Sequence, residues 1–316
     1  MFYTSFAVLL CHLVFCYLFL FIWRWGAFGA GLLMAIRTIL NYVFLTGYIA
    51  VARPGVSHEV WQVLPFPHKR GQVENFPRTD ISFHAYLKVS LATAALLWSE
   101  WWVYEIMTLL AGILGTVQVA AHTSMNNIMT LVYTIPQTLA SSCTALVGNH
   151  LGDGNAEEAR QTAAICLSCV VGTTAVIGVF TYSCRRQIAQ VYTDDLRVID
   201  IICKATLPLA IFLVLDATQT VSEGLLKGLK MQSPAAVRKI FCMVGIRLPG
   251  AYIFAFPMGA GVVGIWCGGL VGMTVSILLY SYLLYKLDIA TIAANIHKSV
   301  VEMGPSTQMC VQAGSA

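Results

Sequence analysis

VVGIWCGGLVGMTVSILLYSYLLY, residues 262–285, is a long run without a single charged side chain. A helix needs about 20 mainly apolar residues to cross a bilayer, because its backbone polar groups find no water there. The run meets this length. The whole chain is 58% hydrophobic and 11% charged, whereas soluble domains contain about 25% charged residues. The run and the composition together exclude an ordinary soluble fold.

The same length criterion, applied outward from this run, predicts seven further spans on its N-terminal side. Polar or glycine-rich segments separate them, as at Arg53-Pro54-Gly55 and at residues 148–155. The first span has no basic start and no small-residue cleavage site, so we interpret it as a spanning helix rather than a signal peptide. The fold class predicted is an all-α polytopic membrane helix bundle, and its eight spans are residues 3–23, 27–52, 83–111, 118–145, 160–183, 199–226, 238–257 and 262–286.

Basic residues predict how these spans are oriented. Most of the loop Lys and Arg residues fall on one side, which the positive-inside rule makes cytoplasmic, so both termini are expected inside the cell. Basic residues toward span ends, Arg247 among them, are explained by snorkelling. A net charge of +4 is too small to indicate a nucleic-acid partner. The cytoplasmic set is Arg53, Lys69, Arg70, Arg78, Arg160, Lys227, Lys230, Arg238, Lys239, Lys286 and Lys298.

Three acidic residues fall well inside apolar spans: Glu100, Glu105 and Asp216. A charge at the bilayer centre costs about 2.5–3.5 kcal/mol on insertion scales, so such acids usually face a polar cavity. A carboxyl group that is neutral when dry and charged when wetted is what a cation-exchanging carrier needs. Glu100 and Glu105 are separated by about 140° around a helix, so they cannot point the same way. The alternative is that these acids only join helices by hydrogen bonds.

Aromatic and amide side chains accompany these acids. Trp101 and Trp102 follow Glu100 directly; they fit either a membrane interface or a pocket whose rings stabilise an organic cation. Asn127, beside Asn126 in the fourth span, adds polarity at depth, although Asn also serves helix packing.

Other patterns argue against further chemistry. His122 is expected at the membrane interface. Cys166 and Cys169 form a C-x-x-C, but without the further ligands that zinc requires, so we expect no metal. No nucleotide-binding loop or catalytic pattern is present, which predicts a protein that is not an enzyme and has no cofactor other than a coupling ion.

Several motifs, in order, resemble one known family. EWWVYE (residues 100–105) and LAGILG (110–115) resemble the seventh helix of eukaryotic multidrug and toxin extrusion (MATE) transporters. VYTIP (132–136) and VGNHLGDGN (147–155) are similar to the eighth helix and its following loop, and EGLLKG (223–228) is similar to the end of the tenth. The resemblance covers roughly residues 84–288, and residues 4–52 fit the fifth and sixth helices less specifically.

The resemblance implies a division of the chain. Such transporters have twelve helices in two six-helix lobes around a central cavity, and the first four helices are lacking here. The implied domains are residues 1–52, the last two helices of the N-terminal lobe; 53–81, a cytoplasmic inter-lobe loop; 82–288, the C-terminal lobe; and 289–316, a cytoplasmic tail.

The resemblance also implies export of organic cations or drug-like compounds in exchange for H⁺ or Na⁺, in a plasma membrane or a vacuole-like organelle. Asn127 aligns with an acid of animal members, so one carboxylate is replaced here. The alternatives are a non-transporting truncated fragment and a lipid-linked-precursor flippase, whose cavity would be basic rather than acidic. The implied substrate- and cation-binding residues are Glu100, Glu105, Asp216, Asn127, Trp101, Trp102 and Tyr133.

Overall fold

A computed structural model describes residues 2–52 and 83–302, and every regular element in these ranges is helical. The π-helical segment Tyr17–Ile22 continues α1, and a second one, Met243–Arg247, joins α8 to α9. The predicted loop 53–81 lies outside the described residues. The helices are α1 Phe2–Cys16, α2 Gly26–Ala52, α3 Phe83–Ile113, α4 Thr116–Gly152, α5 Ala156–Ser183, α6 Arg185–Tyr192, α7 Leu196–Gly228, α8 Gln232–Cys242, α9 Leu248–Ala255, α10 Gly261–Lys286 and α11 Ile289–Glu302.

The helices have the lengths and surfaces of membrane spans. Each of the eight predicted spans coincides with helical structure, in two cases with a π-helical segment included. The prediction of an all-α membrane bundle is confirmed. Among the described residues, five stretches, from Thr4–Ile22 to Gly261–Lys286, are long and apolar enough to cross a bilayer. Large apolar side chains such as Leu131 (74% exposed) and Val176 (70% exposed) lie uncovered on the outside, where lipid is their natural solvent.

The chain divides into two compact units, Met1–Phe76 and Pro77–Ala316. In the first unit, α1 and α2 form a helical hairpin whose turn is closed by packed aromatic rings. The Phe19 ring centroid lies 4.8 Å from that of Trp23 and 5.0 Å from that of Trp25. The second unit contains α3 to α11 and all of the buried charged side chains described below.

Helix α7 is the central element of the second unit and packs against α4, α5 and α10. It is buried on most of its circumference, which explains why its sequence is apolar on nearly all sides. Gly224 allows the closest approach, because a Cβ atom there would overlap the Ala140 carbonyl of α4. At this crossing the Thr144 Oγ1 hydroxyl donates a hydrogen bond to the Gly224 carbonyl (2.7 Å), a contact that small residues make possible between membrane helices.

The predicted span 238–257 is not one continuous α-helix. Pro249 has no backbone N–H, so the hydrogen bond to the carbonyl four residues earlier cannot form. The π-helical segment Met243–Arg247 lies immediately before this position, as is common where a helix accommodates such a defect. Its last residue, Arg247, is fully buried.

The C-terminal helix α11 packs against other helices of the second unit. The sequence assigned residues 289–316 to a cytoplasmic tail after the C-terminal lobe. Ala293 is 1% exposed and belongs to a cluster formed with α4, α5 and α7. His297 Nδ1 lies 2.7 Å from the Gly152 carbonyl oxygen at the end of α4. Residues 289–302 therefore form a packed helix, and residues 303–316 lie outside the described part.

We expect Ala293→Glu to release α11, because a carboxylate would be forced into an apolar contact. Amide hydrogen exchange in residues 289–302 should increase at least about tenfold, corresponding to a loss of about 1.4 kcal/mol of local stability. Ala294→Glu is the matched control, since Ala294 is exposed on the same helix. Equal exchange in the two variants would contradict the packing of α11.

Candidate functional site

A stripe of polar side chains runs along α7, the most buried helix. Its members recur every three or four residues, so they share one face over about 16 Å. Several of these side chains are almost completely buried. The stripe consists of Asp216, Gln219, Thr220, Glu223 and Lys227.

A buried lysine joins this stripe to α3. Lys239 Nζ of α8 lies 2.8 Å from Glu100 Oε2 of α3 and 2.7 Å from Glu223 Oε1 of α7. Lys239, Glu100 and Glu223 are only 1%, 4% and 5% exposed. Breaking a buried ion pair by removing one partner typically costs about 3–5 kcal/mol. The three residues therefore connect three helices through one strongly coupled set of charges.

The two carboxylates that hold Lys239 differ in their other partners. Glu223 Oε1 also accepts hydrogen bonds from Gln219 Nε2 (3.4 Å) and from the Tyr280 hydroxyl (3.4 Å). Glu100 Oε1 is buried and has no hydrogen-bond partner among the described residues. Glu100 Oε1 is therefore the carboxylate oxygen of this cluster that remains available to a further donor or cation.

Another buried acid and another buried base, Asp216 and Arg247, both contact Tyr104. The Tyr104 hydroxyl donates to Asp216 Oδ1 (3.5 Å). The Arg247 guanidinium carbon lies 4.3 Å from the centroid of the Tyr104 ring and 5.0 Å from that of Phe212, distances typical of cation–π contacts. Tyr104 thus separates a buried carboxylate from a buried guanidinium and contacts both.

Two cavities lie next to these charges and share Tyr133. The first, which we call the Glu100 cavity, is partly open and extends over about 400 Å³, open space included. The second, the Glu223 cavity, extends over about 640 Å³, open space included, between α3, α4 and α7. The Glu100 cavity is lined by Glu100, Trp101, Tyr104, Glu105, Asn126, Met129, Thr130 and Tyr133. The Glu223 cavity is lined by Leu97, Tyr133, Gln137, Ala140, Ser141, Thr144, Thr220, Glu223, Gly224 and Lys227.

The lining of the Glu100 cavity has a clear chemical character. Two carboxylates, one amide and three aromatic rings face the space, and none of its lining residues is Lys or Arg. Aromatic faces attract cations, and carboxylates do so more strongly. Such a surface favours an organic cation and disfavours a phosphate or another anion.

The structure brings together only some of the residues that the sequence singled out. Glu100, Glu105, Trp101 and Tyr133 line one cavity, and Glu105 is exposed there. Asp216 is 2% exposed, lines neither cavity and accepts a hydrogen bond from Tyr104. Trp102 and Asn127 are exposed and do not line either cavity. Within residues 2–52 and 83–302, no group of three or more His, Cys, Asp or Glu side chains is arranged to hold a metal ion.

Several sequence interpretations were wrong about burial. Lys239 was assigned to the cytoplasmic face and Arg247 to snorkelling, but both are buried and carry central contacts. Glu223 was not among the three acids placed inside the spans and is 5% exposed, while His122, expected at the interface, is 0% exposed. A signal for the two cations did exist. Lys239, Met243 and Arg247 recur every fourth residue, which predicts one shared helix face.

A polytopic helical bundle with buried ionisable groups between its helices and cavities beside them is typical of membrane transport proteins. The MatE family model matches residues 93–253, about half of the chain, and the protein therefore belongs to the MatE family.

Individual relatives agree with this assignment. Multidrug and toxin extrusion protein 1 of Danio rerio is 26% identical over 204 residues, which are 65% of this chain and 35% of that protein. The Homo sapiens protein of the same name is 27% identical over 184 residues, 58% of this chain and 32% of the relative. The matched part thus spans about a third of the length of these curated relatives.

The fold is shared with solved structures as well. The eukaryotic MATE transporter AtDTX14 matches with a TM-score of 0.79 and 20% identity, covering 94% of this chain and 64% of that one. At this level of identity the likeness shows the common fold.

Proposed function

We propose that the chain forms the cation-binding part of a secondary antiporter that exports organic cations or drug-like compounds in exchange for H⁺ or Na⁺. The observation that carries the proposal is the Glu100 carboxylate, buried beside an aromatic cavity with one oxygen unpartnered among the described residues. Because Glu100 shares the single ammonium of Lys239 with Glu223, its ionised carboxylate needs a further positive charge. A proton and an organic cation can supply it in turn.

The proposed cycle uses the residues of the Glu100 cavity. A proton that reaches Glu100 neutralises the carboxylate, so the organic cation loses its strongest attraction and leaves outward. After reorientation the proton leaves, and a new cation binds against Glu100 and the rings of Trp101 and Tyr133. Asp216, which accepts from Tyr104, assists by holding that ring at the cavity wall. Glu105 lies at the exposed edge and attracts the cation toward the cavity.

The proposal includes the organisation and setting of the chain. Residues 1–52 are assigned to the last two helices of an N-terminal lobe and residues 82–288 to the C-terminal lobe, joined by the cytoplasmic loop 53–81 and followed by the tail 289–316. Both termini are cytoplasmic in this arrangement, because most of the remaining loop basic residues still fall on one side. The host membrane is a plasma membrane or a vacuole-like organelle.

Purified protein in liposomes tests the function directly. With an imposed pH gradient, we expect accumulation of tetraphenylphosphonium against its own gradient, and an ionophore that dissipates the pH gradient should abolish it. A sodium gradient in a parallel sample distinguishes the two coupling ions. If a folded and monodisperse protein accumulates no tetraphenylphosphonium under either gradient, the proposal is contradicted and the non-transporting fragment is favoured.

A lipid-linked-precursor flippase is the second candidate, and the charges at the cavity argue against it. A diphosphate-bearing lipid needs basic partners, whereas the Glu100 cavity presents Glu100 and Glu105. Saturable binding of such a lipid, with no binding of tetraphenylphosphonium, would reverse the assignment.

A further inference from the structure

Lys239, Glu100 and Glu223 form a buried cluster with one more formal negative charge than positive charge. Glu100 and Glu223 contribute two carboxylates, and Lys239 contributes a single ammonium that contacts both. All three side chains are at least nine-tenths buried, so solvent does not screen the excess charge. An isolated buried charge is strongly unfavourable. The cluster therefore takes up one further positive charge.

Counted as formal charges, the neighbouring groups do not alter this sum. Asp216 and Arg247, joined through Tyr104, have opposite formal charges. Glu105 at one cavity edge and the half-buried Lys227 at the other also offset each other. Within residues 2–52 and 83–302, the other titratable groups close to the cluster are three phenols, of α3, α4 and α10, and one thiol of α8: Tyr104, Tyr133, Tyr280 and Cys242.

The two carboxylates of the cluster face different spaces. Glu100 lines one cavity and Glu223 lines the other, whereas Lys239 lines neither. Its ammonium lies between them, within hydrogen-bond distance of both. When another positive charge neutralises one carboxylate, Lys239 pairs with the other carboxylate alone.

We propose, building on the antiport function above, that Lys239 is a tethered counter-cation that links the two cavities and limits the cluster to one additional monovalent cation. When a proton or an organic cation neutralises Glu100, Lys239 is held by Glu223 alone. When that charge leaves, Lys239 again bridges both carboxylates. Binding of one organic cation then breaks the O–H bond of protonated Glu100 and releases one proton to water. Glu223 controls this exchange although it does not line the Glu100 cavity.

The purified protein in detergent allows the charge to be counted. Tetraphenylphosphonium binding is followed by tryptophan fluorescence, since Trp101 lines the Glu100 cavity, and proton release by an indicator dye in weak buffer. We expect the wild-type protein to release about one proton per cation bound, as the charge sum requires.

Glu223→Gln tests the role of the remote carboxylate. It leaves a neutral Glu100–Lys239 pair, so proton release should disappear and cation affinity should fall roughly 10- to 100-fold. The double variant Glu223→Gln with Lys239→Met again leaves one negative charge, on Glu100. Both proton release and affinity should then return to within about threefold of wild type.

Glu157→Gln is the matched control, because it makes the same chemical change at an exposed position of α5. Unfolding temperatures of all variants are measured alongside. A merely structural role for Lys239 and Glu223 would change those temperatures without restoring proton release in the double variant.

The outcomes separate this inference from the antiport function. Wild-type protein that neither binds the cation nor releases protons contradicts the function itself. Wild-type binding with unchanged proton release in folded Glu223→Gln overturns the inference alone, as does a folded double variant that stays inactive. If the double variant does not fold, the comparison of Glu223→Gln with Glu157→Gln decides, and equal proton release in the two rejects the tethered counter-cation.

Discussion

Cation binding is expected to weaken roughly 10- to 100-fold, and proton-driven exchange to be lost, when Glu100 is replaced by glutamine. Hydrogen bonds and ion pairs to a charged group contribute about 1.5–3 kcal/mol each, and Glu100 has the carboxylate oxygen left without a partner among the described residues. The amide cannot take up and release a proton, so no gradient can drive the cycle. Tetraphenylphosphonium binding and its accumulation in liposomes measure the two effects.

The fold should tolerate this substitution. Lys239 keeps its 2.7 Å contact with Glu223 Oε1, so Glu100→Gln leaves a neutral pair rather than an unpaired buried charge. Glu105→Gln is the natural comparison, since Glu105 lies on the same helix and lines the same cavity but is exposed. Exposed charge pairs contribute about 0–1 kcal/mol, so its effect should remain below about fivefold. Equal losses in both variants would contradict the special position of Glu100.

Gly224→Leu is expected to give the largest loss of stability. A Cβ atom at Gly224 would overlap the Ala140 carbonyl, which belongs to the backbone and cannot rotate away. The hydrogen bond from Thr144 to the Gly224 carbonyl would be lost as α4 and α7 separate. Overpacking of this kind typically costs about 1–3 kcal/mol and occasionally more. The unfolding temperature in detergent should fall by roughly 5–10 °C, and less folded monomer should be recovered.

Gly172→Leu provides the control for this prediction. Gly172 is also within a helix, α5, but an added Cβ atom there meets no atom within 4 Å. The change in side-chain volume and helix propensity is the same, whereas the close approach of two helices is absent. Similar stability losses in the two variants would show that helix propensity, and not the α4–α7 crossing, limits the stability of the second unit.

The helices could be predicted from the sequence, because a membrane requires each span by itself to be long and apolar enough to cross it. The eight predicted spans depended on local composition alone, and each coincides with helical structure. The exceptions have local causes. Pro249 follows a π-helical segment that no apolarity count reveals, and the packing of α11 depends on Ala293 fitting between other helices.

The site was only partly predictable, because burial of a charge depends on its partner. Depth in an apolar run identified Glu100 and Asp216, which are both buried. The same criterion missed Glu223, near the end of a predicted span, although its spacing from Asp216 along α7 would have found it. Lys239 was missed because a lysine near a predicted span end is usually exposed.

The amino-acid sequence by itself determined that this protein is a bundle of membrane helices and that carboxylates lie within it. Hydrocarbon leaves no other way to satisfy the backbone, and few ways to tolerate an acid. The tertiary structure alone decided which charges meet. Lys239 is separated from Glu100 by 139 positions in sequence, yet their side chains are 2.8 Å apart. Contacts over such separations arise only when helices pack, and it is these contacts that set the charge of the site.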